Sequence, residues 1–294
     1  MMLATALLSL LLISHGVLAP ESSVDMAQAQ FASGNYGDAV KTLNTALASA
    51  PQDASIYHWL GRSYYEMQDF DKAISNAEEA VKLSSQNSEY LRWLGRAYGG
   101  KAEKSRSFFL ARKVKQAFQA AVRLAPHNIQ ARRDLMQYCV EAPWIVGGDK
   151  EMAREQIDAI FKLDPIEGRL ARAAYFTAEK QWKAAESEYL AIVAAGPGRI
   201  APYMEAAEFF DERKDAAKLE RTLEAAARID SNDPRLQYYR GVSLILRGTQ
   251  LATAGQLLNS YISNVRERSD YPSHRSAMEW LRQIDSKRSL ENHN

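Results

Sequence analysis

One cysteine, Cys139, stands in a chain of 294 residues. A single thiol excludes an intrachain disulfide and a cysteine-built zinc site, and in an oxidising compartment a lone thiol is safest buried. Histidine is scarce too. His15, His58, His127, His274 and His293 stand too far apart for any two to share a helix face, so no metal is expected. Lys+Arg 37 against Asp+Glu 36 leave a formal +1. That balance supplies no overall field for nucleic acid, so any electrostatic preference must come from local patches. A phosphate loop is missing: Gly99-Gly100-Lys101 lacks the P-loop spacing and reads as a turn where a helix ends. Gly147-Gly148-Asp149 reads as a helix lead-in with Asp149 as its cap. Cys139 has no base within its own helix, and the carboxylates scatter without a cleft signal. Even the cluster Glu205, Glu208, Asp211 and Glu212 reads as a solvated acidic face. The reading is a non-enzyme with no cofactor.

Long apolar runs are absent beyond the N-terminus. From Leu3 to Ile13 the chain is apolar and uncharged, too short for the roughly 20 residues of a membrane span but suited to the core of an export signal. Residues 1–19 are therefore expected to be a signal peptide or an N-terminal anchor, with cleavage after Gly16 or Ala19. The expected setting is exported, periplasmic or secreted. No cysteine follows the run, which argues against a lipoprotein anchor.

What is present is a period. The composition, 46% hydrophobic and 25% charged, can bury a core. Trp59, Leu60, Gly61, Arg62 and Tyr64 recur as Trp93, Leu94, Gly95, Arg96 and Tyr98, each 34 residues on. In the companion segments Tyr36, Ala39 and Ala46 recur as Phe70, Ala73 and Ala80, again 34 apart. Leu60, Gly61 and Tyr64 share one helical face, and Phe70, Ala73, Ala77 and Ala80 share the opposing one. Gly61 and Ala73 are small where two helices must approach. Each unit is a helical hairpin that cannot hide its apolar face alone, so several must stack.

These residues and this spacing resemble the tetratricopeptide-repeat family, although Tyr57 and Leu91 take the family's Trp place and Ala77 its Phe place. The resemblance covers about residues 22–286 and fades after 233. It implies an all-α, right-handed superhelical solenoid. The expected hairpins are about 21–50, 54–84, 88–125, 128–164, 167–196, 200–230 and 233–267, with a capping helix over 273–286 and a disordered tail over 287–294. Pro51, Pro126, Pro165, Pro197 and Pro234 punctuate the units, and Asp53, Asn87, Asn128 and Asn232 stand near helix starts as caps. The third unit carries about seven extra residues, one added turn on each helix over Lys101–Lys115.

The resemblance also implies a concave surface, lined by the first helix of each unit, that holds a peptide or protein partner. If Leu60, Gly61 and Tyr64 face the core, His58, Arg62 and Tyr65 face the groove, followed by Arg92, Arg96 and Gly99, then by Arg133, Gln137 and Val140. Arg62, Arg92, Arg96 and Arg133 would form a basic strip suited to an acidic peptide. The family's Lys/Asn clamp for a C-terminal carboxylate is not implied, because Arg62 replaces the Asn. Further along, Met204, Glu208 and Asp211 reverse the sign, and Tyr238, Val242 and Ile245 follow in an apolar seventh unit. Two covers for that unit stay open: the terminal helix with Ala277, Trp280, Leu281 and Ile284, or a partner or second copy, which would make the protein a component of an envelope assembly. Trp144 is either a further docking residue or a packing plug. No nucleic-acid partner is expected.

Overall fold

The computed structural model describes residues 22–291, with side chains through Ser286. The expected signal segment and residues 292–294 lie outside the described residues. The chain folds as seven stacked helical hairpins and a terminal helix, and the described residues contain no strand. The hairpins pair α1 (Ser23–Ala32) with α2 (Tyr36–Ser49), α3 (Ala54–Glu66) with α4 (Phe70–Leu83), and α5 (Ser88–Ser105) with α6 (Phe108–Leu124). They continue as α7 (Ile129–Glu141) with α8 (Lys150–Leu163), α9 (Pro165–Ala178) with α10 (Trp182–Ala195), and α11 (Ala201–Glu212) with α12 (Ala216–Ile229). The last pairs α13 (Arg235–Arg247) with α14 (Leu251–Asn264), and α15 (His274–Glu291) follows.

The small residues of the repeat lie where the helices meet. Ala39, Ala73 and Ala80 are fully buried, beside Leu60 at 1% exposure and Leu94 at 7%. Gly61 lets α4 approach: a Cβ there would stand 3.3 Å from the Ala73 carbonyl and the Ala77 nitrogen. Trp93 and Tyr98 are buried, while Trp59, Tyr64, Phe70, Tyr36 and Ala46 are half-buried under the neighbouring unit. The helices start on side-chain caps, each worth about 1 kcal/mol. Asp53 accepts from the Ser55 amide, Asn87 from Glu89, Asn128 from Ala131 and Asp149 from Met152. Asn232 is not a cap. Asp233 accepts the Arg235 amide at 2.9 Å instead, one residue nearer the helix.

One backbone feature carries the repeat through all seven units. The turn from first to second helix contains a left-handed residue at Gly34, Gln68, Arg106, Gly147, Lys180, Lys214 and Gly248, at spacings of 34, 38, 41, 33, 34 and 34. The departures fall on the third and fourth units. α5 and α6 have 18 and 17 residues against 13 and 14 in α3 and α4, so the third hairpin stands about one turn longer at its tip. The reading of Gly99-Gly100-Lys101 as a turn is corrected: α5 runs straight through it. The lack of a side chain at Gly100 admits the Phe70 ring, whose Cε1 lies 2.3 Å from where a Cβ would be. α15 likewise runs to Glu291, five residues into the stretch read as a tail.

The two ends of the solenoid touch. Arg268, in the loop between α14 and α15, donates through Nη1 to the Ala32 carbonyl at 2.7 Å. A Cβ on Gly34 would meet the Arg266 Cβ at 3.3 Å. Asp270 holds the Arg268 guanidinium in place with two bonds of 2.9 Å. The stack therefore completes a turn and returns on itself.

Candidate functional site

First helices pack on first helices from unit to unit, α1 on α3, α3 on α5 and onward to α13, whereas neighbouring second helices make no comparable contact. The first helices thus form the inner, concave wall. On that wall α1, α3 and α5 bring together an arginine–aromatic stack. The Arg62 guanidinium carbon lies 4.0 Å from the Trp59 ring centroid, 4.5 Å from Trp93 and 4.7 Å from Phe31. Arg96 lies 4.6 Å from Trp93 and 5.4 Å from Tyr65. A guanidinium is held there by the ring quadrupoles, about 0.5–2 kcal/mol a contact, and needs no carboxylate. Among the described residues neither Arg62 nor Arg96 has one within ion-pairing distance, and the Arg62 Nε is buried without a hydrogen-bond partner. Burial, then the nearby Arg92 and Arg96 charges, pull the Arg62 pKa down to about 10.

The basic strip is narrower than the spacing implied. Arg92 is buried and committed: it forks onto Glu89 at 2.8 and 2.9 Å and reaches Asp134 at 2.9 Å. Arg133 is committed to Glu167 at 3.0 Å and to both Glu205 oxygens at 2.7 and 3.1 Å. Its partners outweigh desolvation and lock it protonated. Glu89, one turn before Arg92, was visible as a helical pair. Glu205, two units beyond Arg133, was not, because it approaches only through the superhelix. His58 is buried rather than facing the groove. It stacks 4.7 Å from Tyr90, and burial, then Arg62, push its pKa down to about 3.

Beside the Trp93 stack the longer third hairpin opens a cleft of about 550 Å³. Tyr65, Arg96 and Gln137 meet on its wall, with Asp134 and the apolar Val114, Phe118, Tyr138 and Val146. That volume falls in the range of small-ligand sites. The Tyr138 hydroxyl lies 2.5 Å from the Ala111 carbonyl and 2.7 Å from that of Val146, holding the turn after α7 against α6. Trp144, in that turn, is 84% exposed, so it is no packing plug.

At the far end of the wall the apolar patch is corrected. Tyr238, Val242 and Ile245 are buried at 3%, 0% and 1% exposure, in one core with Ala277, Trp280 and Ile284 of α15. The terminal helix is their cover. The acidic cluster is not uniformly solvated either. Asp211 is buried, paired with Lys214 at 3.2 Å and accepting from the Tyr238 hydroxyl at 3.3 Å. Glu208 is itself exposed, and partial desolvation, then Glu212, Glu205 and Asp211, push its pKa up. Cys139 is buried as expected, and burial pushes its thiol up to about 11. No group of three or more His, Cys, Asp or Glu able to hold a metal exists among the described residues.

Two family models match: "TPR repeat" over residues 27–68 and "Tetratricopeptide repeat" over residues 54–87. No curated protein matches the sequence. Among solved structures, a tetratricopeptide repeat protein from Parabacteroides merdae superposes with a TM-score of 0.56 at 13% identity, covering 89% of this chain and 97% of that one. A thermophilic TPR protein of Thermus thermophilus gives 0.54 at 17% identity over 64% and 97%. A human IFIT1 dimer solved with PPP-AAAA gives 0.52 at 16% identity over 82% and 53%. At such identities the likeness is one of fold. Residues 27–87 match tetratricopeptide-repeat models, and the chain has the fold of a tetratricopeptide-repeat solenoid.

Proposed function

We propose that this protein is a non-catalytic interaction scaffold of the extracytoplasmic space, holding an extended segment of a protein partner on its concave wall. The observation that carries the reading is Arg96. It is stacked on Trp93 and Tyr65 without a carboxylate of its own and stands on the wall of the 550 Å³ cleft. An acidic residue of the segment would take the Arg96 guanidinium, and its apolar neighbour would enter between Val114, Phe118 and Tyr138. Arg62, one unit earlier, extends the same preference. The apolar segment before residue 20 supports export. Self-contact through a bare seventh unit loses its basis, since α15 covers that unit.

The test is a selection of displayed peptides against the protein, followed by charge exchange. Arg96→Glu should leave the fold intact and weaken an acidic binder about 10- to 100-fold, the worth of a hydrogen-bonded charge pair. Replacing the peptide's acid by lysine should restore binding to the variant. Enrichment of peptides without acids, or indifference to Arg96→Glu, refutes the assignment.

A further inference from the structure

The rim of the third and fourth units borders the mouth of the cleft, where Arg106 and Phe108 also line its wall, and extends beyond it. The four most exposed large apolar side chains among the described residues are Trp144 at 84%, Phe109 at 68%, Phe108 at 66% and Ile145 at 52%. All four stand at first-to-second-helix turns of adjacent units, on one edge of the solenoid. The third hairpin, longer by 5 and 3 residues than the second, carries its pair on the protruding tip. The same tip is basic: residues 101–115 hold six Lys or Arg against one carboxylate, Glu103. Lys101 is paired with Asp71 and Lys115 with Asp149. Lys104, Arg106 and Arg112 are exposed with no ion pair, and Lys113 stands 5.1 Å from the Phe109 ring centroid.

We propose that this edge docks on an anionic lipid bilayer, with Phe108, Phe109, Trp144 and Ile145 inserted at the headgroup level and Lys104, Arg106, Arg112 and Lys113 on the lipid phosphates. Aromatic rings ringed by unpaired cations are the chemistry of a membrane interface. The geometry favours a bilayer over a protein groove: Phe109, Trp144 and Ile145 project from two separate tips outside the cleft, with Phe108 at its mouth, and a deformable surface accepts both tips at once.

The test uses the full chain carrying Phe109→Cys labelled with an environment-sensitive fluorophore, against the same label at Met278→Cys, exposed on α15. Cys139 is buried and does not compete for label. With vesicles of phosphatidylcholine containing about one third phosphatidylglycerol, the label at 109 should blue-shift and the label at 278 should not. Pure phosphatidylcholine should give little shift. About 0.5 M salt, where charges are screened beyond about 4 Å, should reverse it. Arg106→Glu with Arg112→Glu should weaken vesicle affinity at least about thirty-fold. Because the apolar N-terminal segment can bind vesicles by itself, sedimentation alone is not the readout. A silent label at 109, equal shifts at both positions, or indifference to the charge reversal overturns the proposal. So does a shift at 109 produced by a soluble acidic polypeptide and not by vesicles, which would assign the edge to a protein partner.

Discussion

Three glycines on one helix separate backbone propensity from close packing. Gly95, Gly99 and Gly100 all lie inside α5, so alanine at each gains the same helix propensity, about 1 kcal/mol. What differs is what the new methyl meets. At Gly99 the nearest atom is Val114 Cγ2 at 3.9 Å, ordinary contact, and the gain should appear in full. At Gly95 the methyl would stand 2.5 and 2.6 Å from Cε1 and Cδ1 of Phe118, a ring only 6% exposed. That ring or the α6 backbone must move by about 1 Å, at an overpacking cost of about 1–3 kcal/mol, for a net loss of up to about 2 kcal/mol. At Gly100 the obstacle is Phe70 at 2.3 Å, a half-buried ring at the start of α4 that can swing outward, so gain and cost should nearly cancel. The assay is denaturant unfolding followed by tryptophan fluorescence. Midpoints should be compared only where the slope m is unchanged, since repeat arrays can melt in parts. The expected order is Gly99→Ala above the natural protein, Gly100→Ala close to it, and Gly95→Ala below. Equal shifts for Gly95→Ala and Gly99→Ala would refute the packing argument. A loss at Gly99 would show that the stretch is not helical.

Other perturbations test other parts of the molecule. His58, buried with a pKa near 3 against an ordinary 6.5, takes up its proton first in the unfolded chain. Its contribution is therefore complete above pH 6.5 and is lost as pH falls toward 3, on the order of 3 kcal/mol by pH 4. His58→Phe should flatten that acid limb, and an unchanged limb would assign it to other groups. Glu208 has the opposite sign: its raised pKa means that stability is lost as pH rises through it. Glu208→Gln should accordingly stabilise at pH 7 and not at pH 4, read from the same unfolding midpoints. Lys180 adopts φ 58° with no side-chain partner among the described residues, so Lys180→Gly should gain about 0.5–1 kcal/mol, where alanine would not. Arg268→Ala removes the bond to the Ala32 carbonyl. Amide hydrogen exchange across Ser33–Asn35 should speed up about tenfold, the worth of one charged hydrogen bond, and unchanged protection would show that the two ends are not coupled.

The hairpins were legible because a period of 34 is written in residue types that only close helix packing needs: Gly61 and Gly95, Ala39 and Ala73, Ala46 and Ala80. Helix boundaries followed from prolines and caps for the same reason. The left-handed turn residue was not legible. It is Gly at 34, 147 and 248 but Gln, Arg or Lys at 68, 106, 180 and 214, where the flanking helices impose a strained backbone on an ordinary side chain. Gly99-Gly100 misled in the opposite direction, since glycine marks a helix end and also marks a place where a ring such as Phe70 must come close. The first helices named for the groove do form the inner wall, but His58 and Arg92 on them are buried. Their charge state was not legible, because a strip of arginines looks the same in sequence whether each is stacked on tryptophan or paired to a carboxylate.

That limit has a geometric origin. A period fixes what each unit makes with the next, because neighbour contacts repeat. It says nothing of contacts that skip a unit, which depend on curvature, a small rotation added once per repeat. Arg133 on α7 reaches Glu205 on α11 across the intervening α9, 72 residues away, and Arg268 reaches Ala32, 236 residues away. Both contacts exist only because the accumulated rotation brings the inner wall, and then the ends, back together. The arginines of the strip left unpaired, Arg62 and Arg96, lie on the second and third units, where no acidic side chain among the described residues comes across the groove to them. The groove's ligand preference is therefore set by superhelical curvature as much as by composition, since curvature decides which arginines the protein neutralises itself and which it leaves for a partner.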